Sequence, residues 1–290
     1  MELYISLGRL FSYYILYIKG NHKILYVMPE IGYKWDAELY QKSSSWQFDL
    51  GMMAINHLDP KNSEEILEIG CGNALVTIEL AKRIPNGKIT AIEISENMIT
   101  QANKNCIDQA IENVSIINMD AVTIDFNMQF DAVFSNSAIH WIKNLELMYK
   151  KIYNSLRLNG RIMIQTALKQ KSFFLKSIRM ISNLSKYKKY FKNKIDFPWR
   201  FLSIGETKKI LKNCGFREIS INPYEYKYLF NDIKEFINFC KAAPLIPYLS
   251  NLPLELNSGF IDDFTELYSK KNDLDQPFIK LNRVFIHAIK

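Results

Sequence analysis

Ile66-Leu67-Glu68-Ile69-Gly70-Cys71-Gly72-Asn73-Ala74 is the stretch that decides the fold. Its apolar run predicts a buried strand, its glycines a tight turn, and the amphipathic residues 75–84 a helix. Gly70 permits the sharp turn, and Gly72 leaves the backbone open to a ligand with no Cβ in the way.

The same alternation continues on the C-terminal side. Short apolar runs at 65–69, 88–94, 114–118, 131–135 and 161–166 predict parallel strands buried on both faces. Amphipathic stretches at 75–84, 96–106 and 145–156 predict the helices between them, with Ser95 placed to cap the second. Asn159-Gly160 is expected to end the third helix and turn into the fifth strand. Right-handed crossovers put such helices on both faces of the sheet, which defines a doubly wound α/β fold.

Upstream, residues 35–58 have helical spacing, with Trp46, Leu50, Met53, Ala54 and Leu58 on one face. Downstream, the rhythm changes. Residues 168–200 are basic and aromatic and are expected to form irregular lid helices. A helix at 204–214 closed by Gly215, a sixth strand at 218–221 and helices at 232–240 and 254–270 follow, Gly259 being a possible break in the last. Residues 281–289 predict the final strand.

A chain of 290 residues buries a core large enough to need no disulfide or metal staple. Cys71, Cys106, Cys214 and Cys240 are scattered, as are the four histidines, so the sequence offers no disulfide framework and no metal site. That usage suits a reducing, cytoplasmic setting. The net charge of +7 admits an acidic partner, and the run 186–194 interleaves lysines with aromatics. Such runs are usually solvated faces, so nucleic acid is the disfavoured partner and a small molecule the favoured one. Arg9, Lys19 and Lys23 interrupt the apolar residues 1–27, which leaves no run long enough to span a membrane. Residues 1–27 are read as an extension outside the domain. Residues 28–60 then form a helical cap, 61–166 the cofactor-binding core, 167–270 the lid plus sixth strand, and 278–290 the final strand.

Glu68 precedes the glycine turn and Glu93 ends the next strand. An acid at the latter place suits a ribose diol, which nicotinamide dinucleotides and S-adenosylmethionine (AdoMet) share. The turn separates the two ligands. A dinucleotide turn carries a third glycine for close packing beside the pyrophosphate, where this chain has Leu75. The Glu68 carboxylate would disfavour a phosphate and favour the amino group and sulfonium of AdoMet.

Glu68-x-Gly70-x-Gly72 resembles the E-x-G-x-G-x-G motif of class I AdoMet-dependent methyltransferases, with Ala74 in place of the last glycine. Glu93-Ile94-Ser95-x-x-Met98 resembles their ribose-binding segment, and Asn118-Met119-Asp120-Ala121 the segment whose acid meets the adenine amino group. Residues 130–141, ending Ser135-Asn136-Ser137-Ala138-Ile139-His140-Trp141, are similar to the fourth-strand motif of the trans-aconitate and juvenile-hormone-acid methyltransferases. Tyr40-Gln41-Lys42-Ser43-Ser44-Ser45-x-Gln47 resembles their N-terminal helix.

The resemblance implies a seven-stranded, mostly parallel Rossmann-like sheet with a helical lid insertion. It implies an AdoMet site made by Glu68, Gly70, Cys71, Gly72, Glu93, Ile94, Met98, Asp120, Ala121 and Ser135, although Met98 also reads as packing. It further implies that Gln47 and Trp141 hold an acceptor carboxylate, with His140 and Trp141 at the reacting centre. Each residue also has a plainer reading: Glu68 as a solvated strand end, Asp120 as a turn cap, His140 and Trp141 as core packing, and Gln47 as helix surface.

A carboxylate acceptor is already ionised and needs no base, whereas His140 would serve as base for a hydroxyl. The lid aromatics Phe173, Phe174, Tyr187, Phe197, Trp199 and Tyr226 are expected to line the acceptor pocket. Two alternatives stay open: an RNA methyltransferase, despite the lack of an N-P-P-[YF] tetrapeptide after the fourth strand, and a non-catalytic AdoMet-binding protein. A nicotinamide-linked dehydrogenase is disfavoured by the turn.

Overall fold

The structure is a computed structural model, and it describes residues 45–169, 172–191, 199–270 and 277–290. The expectations for residues 1–44, Phe197 and Pro198 lie outside these residues. Helix α1 (Ser45–Leu58) precedes alternating β1 (Glu65–Ile69), α2 (Leu75–Arg83), β2 (Lys88–Glu93), α3 (Glu96–Asp108) and β3 (Val114–Asn118). Then come β4 (Phe130–Asn136), a 3-10 turn (Ile139–Trp141), α4 (Leu145–Ser155) and β5 (Leu156–Ala167). The lid helices α5 (Phe173–Ser182) and α6 (Ser185–Phe191) lead to α7 (Ile204–Cys214) and β6 (Arg217–Leu229). Helices α8 (Ile233–Ala242), α9 (Ile246–Leu249) and α10 (Leu254–Ser269) come before β7 (Phe278–Ile289).

One seven-stranded sheet runs in the order β3-β2-β1-β4-β5-β7-β6. Strands β1 to β5 pair in parallel, and β7 is antiparallel to both β5 and β6. The order reverses between β1 and β4, which opens a crevice at their carboxyl ends, where such sheets bind ligands. Alternation along each strand sends side chains into two separate cores. Ile66, Phe134 and Phe285 pack with α1 and the lid, while Leu67, Val133 and Ile286 pack with α4 and α7.

Local chemistry sets the helix ends. Asn144 and Asp232 accept backbone N–H groups at the starts of α4 and α8, at 3.0 and 2.7 Å. Ser203 and Glu206 form a capping box on α7, and Gly215 ends that helix at φ 104°.

Four expectations need correction. Asn159-Gly160 does not end a helix: α4 stops at Ser155, Leu156 already pairs with Phe130, and the pair lies in a bulge before Arg161 rejoins β4. Asn159 takes φ 64° there, and a Cβ on Gly160 would come within 2.9 Å of the Arg157 carbonyl. Helix α10 runs unbroken through Gly259, whose missing side chain admits the Tyr187 hydroxyl at 3.3 Å from where Cβ would be. Among the described residues the lid segment holds two regular helices, and its α5 buries Phe174, Ile178 and Ile181 along one side. Strand β6 is far longer than expected, because at a sheet edge Pro223 is tolerated and the alternating Tyr224, Tyr226 and Tyr228 favour extended chain.

Candidate active site

The glycine turn fills the mouth of the crevice. Gly70 has φ 71°, and a Cβ there would come 2.4 Å from the Ala138 Cβ. Gly72 has φ 55° and nothing within 4 Å of its missing Cβ, so its bare backbone faces open space. Ala74, in the seat of the family's last glycine, is held left-handed at φ 62°. That costs an alanine about 1–2 kcal/mol, and it explains why glycine suits the position.

The two acids take different tasks. Glu93 Oε2 accepts the Gly72 N–H at 3.0 Å, while Oε1 accepts the N–H groups of Ile94 and Ser95 at 2.9 and 3.0 Å. Its carboxylate thus clasps the glycine turn to the end of β2. Burial raises its pKa, and these backbone donors oppose the rise. Glu68 is only 2% exposed, so it is not a solvated strand end, and its Oε2 has no hydrogen-bond partner among the described residues. Burial pushes its pKa up to about 7, with the Thr77 hydroxyl acting against the shift and the Glu93 charge adding to it. An orphaned buried carboxyl oxygen beside an open glycine backbone fits a ligand that brings a cationic donor, as the amino group of AdoMet does. Asn73 Nδ2, within the same turn, is a second buried polar atom without a partner among the described residues and was not foreseen as a site residue.

The remaining expected cofactor residues lie in the turn itself or just past the ends of β2 and β3. Asp120 Oδ1 accepts the Val122 N–H at 3.0 Å, so it does cap a turn, and its side chain is half-buried beside the buried Ala121. Met98 is 4% exposed and packs, while Ile94 is 53% exposed next to Glu93. The Cys71 thiol is held well above its usual pKa by burial and by the charges of Glu68 and Glu93, so it is unreactive.

Three consecutive residues at the end of β4 join three walls. Ser135 Oγ donates to the Ile69 carbonyl at 2.8 Å, closing the crevice floor. Asn136 Nδ2 donates to the Gln47 carbonyl at 2.9 Å, fastening α1. Ser137, at φ 56°, donates to Gln165 Oε1 at 3.1 Å and accepts from Arg283 at 2.7 Å.

Beyond this segment lies a cavity of about 140 Å³ between α1, the 3-10 turn, the lid and β7. Gln47, His140 and Trp141 all line it, and Gln47, whose Oε1 has no partner among the described residues, is buried rather than on the helix surface. His140 Nδ1 lies 3.2 Å from Thr166 Oγ1 and its ring stacks 5.8 Å from Phe201. Burial, and then the Arg283 charge, holds its pKa well below the usual value, so the imidazole is neutral. Trp141 meets Trp199 edge to face at 5.5 Å.

Of the lid aromatics, Phe174 and Trp199 line the cavity. Phe173, Tyr187 and Tyr226 do not: Phe173 stacks on Tyr268, and the hydroxyls of Tyr187 and Tyr226 donate to Asp263 and Asp49. Trp46, read from sequence only as core, lines the cavity, and its Nε1 has no partner among the described residues. Arg283 also escaped notice, although a charge directly before the apolar run Val284-Phe285-Ile286 of β7 marked it. Among the described residues no group of three metal-ligating side chains comes together, and no helix is long and apolar enough to cross a membrane.

Comparison with known proteins agrees with this geometry. Residues 60–227 match a family model described as a methyltransferase domain. Juvenile hormone acid O-methyltransferase of Bombyx mori is 25% identical over 259 residues, covering 83% of this chain and 88% of that protein. Trans-aconitate 2-methyltransferase of Acidovorax sp. is 22% identical over 260 residues, covering 88% and 97%. Among solved structures, Haemonchus contortus phosphoethanolamine N-methyltransferase 2 in complex with S-adenosyl-L-methionine superposes with a TM-score of 0.56 at 17% identity, covering 88% of this chain and 56% of that one.

Proposed function

Because the chain belongs to the methyltransferase domain family and is an AdoMet-dependent enzyme, we propose that it O-methylates a small carboxylic acid with an apolar body. The observation that carries this reading is the state of His140. A general base works best with a pKa near the operating pH, and His140 is held well below it by burial and Arg283. A hydroxyl acceptor would need that base. A carboxylate does not, and the cavity instead offers uncharged donors in the Gln47 amide and the Trp141 indole.

AdoMet supplies a methyl group on a sulfonium that is a strong leaving group. The protein's work is then alignment and exclusion of water. In this reading Gly70, Cys71 and Gly72 present their backbone to the cofactor, and Glu68 receives its amino group. Glu93 and Asp120 take its ribose and adenine, with Ile94, Met98 and Ala121 covering the base, and Ser135 fixes the floor. Glu93 already accepts three backbone N–H groups, so it receives the ribose while holding the turn. Gln47 and Trp141 hold the acceptor carboxylate, and Phe174, Phe201 and Trp199 enclose its apolar body.

Incubation with methyl-labelled AdoMet and a panel of small carboxylic acids, alcohols, amines and RNA tests the proposal. Label in a base-labile methyl ester supports it. Label confined to an amine, an alcohol or RNA overturns it.

A further inference from the structure

Phe174, 5% exposed, lines the acceptor cavity from the first turn of α5. Its ring meets Phe264, Tyr268 and Phe236 edge to face, with centres 5.4, 5.7 and 6.3 Å away. Those three rings lie outside the cavity lining, so Phe174 stands as a partition between the cavity and an aromatic core. The core braces it from behind. Phe236 and Phe264 are fully buried and stack on each other and on Tyr268. The Tyr268 hydroxyl in turn donates to the Phe278 carbonyl at 3.0 Å. In so close-packed a setting the Phe174 ring has no room to swing aside.

A chain of ring contacts leads to this partition from the acceptor end of the cavity. Trp46 adjoins Gln47 on α1 and meets Phe239 at 6.0 Å, and Phe239 meets Phe174 at 6.3 Å. Trp46, Phe239 and Phe174 all line the cavity and together form one apolar wall. An acceptor whose carboxylate sits at Gln47 and Trp141 lays its apolar body along that wall and stops at a ring that cannot yield. Resting on the carboxyl-methylation reading above, we propose that Phe174 is the end wall that sets the length of the acceptor's apolar body. Loss of the ring opens the cavity towards the lid core, because a site emptied in a close-packed interior collapses only partly.

Straight-chain acids from butanoate to dodecanoate, and the alcohols of matching length, test this. Their dissociation constants are measured by calorimetry on the full chain loaded with S-adenosylhomocysteine, for the unaltered protein, Phe174→Ala and Phe174→Leu. Each methylene that finds room should tighten binding about fourfold, and the gain should stop at one chain length. Phe174→Ala should move that stop to longer chains, so that the first chain past the old stop gains about fourfold over its shorter neighbour. Phe174→Leu, which removes less volume and is easier on the fold, should move it the same way by less. Because the readout is a position within each variant's own series, a general loosening of the fold cancels. A stop at the same length in the folded variants, no stop in the unaltered protein, or no binding in either series overturns the proposal. The alcohols and a turnover assay separate it from the parent reading. A stop that moves with Phe174 while no acid yields a methyl ester sinks carboxyl methylation and leaves the wall standing. Methyl esters formed with an unmoved stop do the reverse.

Discussion

Gly72 gives its backbone N–H to Glu93 Oε2 at 3.0 Å, so the residue proposed to take the ribose also holds the glycine turn proposed to face the cofactor. Loss of the carboxylate therefore acts twice. Glu93→Ala should weaken AdoMet binding by about 1.5–3 kcal/mol, the range for hydrogen bonds to a charged group. It should also raise amide hydrogen exchange at Gly72, Ile94 and Ser95 in the ligand-free protein. An unchanged dissociation constant in a folded variant would remove Glu93 from the cofactor site.

With Glu68 receiving the cofactor's amino group as proposed, cofactor binding should be sensitive to pH. Its folded pKa is raised from 4.5 to about 7, so its contribution to stability is full below pH 4.5 and is lost as pH rises through 7. The ligand-free protein should thus lose stability across that window. AdoMet brings a cation that favours the ionised carboxylate, so its binding should run the opposite way, roughly tenfold weaker at pH 6 than at pH 8. Denaturation and calorimetry across pH measure both slopes, and Glu68→Gln should flatten both. Persistence of the binding slope in that variant would assign it elsewhere.

The two glycines of the turn should fail differently. Gly70→Ala must place a methyl group 2.4 Å from the Ala138 Cβ at a positive φ, which should cost about 1–3 kcal/mol in urea unfolding. Gly72→Ala meets nothing in the protein. It should cost only about 1 kcal/mol in stability while impairing AdoMet binding by occupying the open face. Equal losses of affinity and stability at both positions would contradict this division.

His140 and Trp141 separate the two acceptor chemistries. With a carboxylate acceptor, His140→Ala should leave the chemical step nearly intact, and Trp141→Phe should cost about 1–2 kcal/mol of transition-state binding. With a hydroxyl acceptor, loss of His140 should slow the reaction roughly a hundredfold or more. Single-turnover rates of both variants with the best acceptor distinguish these outcomes.

The alternating strands and helices from β1 to β5 were legible in the sequence because their signals are local. Glu68, Gly70, Gly72 and Glu93 sit at fixed offsets from strand ends, and β1 and β3 were located to the residue. Past β5, the decisive pairings are long-range. Nothing near residue 283 says that β7 will insert between β5 and β6 and carry Arg283 to Ser137. Tyr187 and Tyr226 looked like pocket residues by composition, yet their hydroxyls are drawn to Asp263 and Asp49 by partners 76 and 177 positions away. Asn159-Gly160 misled for a related reason: the same dipeptide serves a helix end or a bulge, and only pairing with β4 selects between them.

The Ser135-Asn136-Ser137 segment has one more implication. It is a single beam from which β1, α1 and β7 all hang. Were binding at one of the two proposed seats to shift that beam, the other seat would move with it, and filling one would then change the free energy of filling the other. Thermodynamics makes such cross-talk symmetrical: whatever tightening AdoMet brings to acceptor binding, the acceptor must return to AdoMet in equal measure.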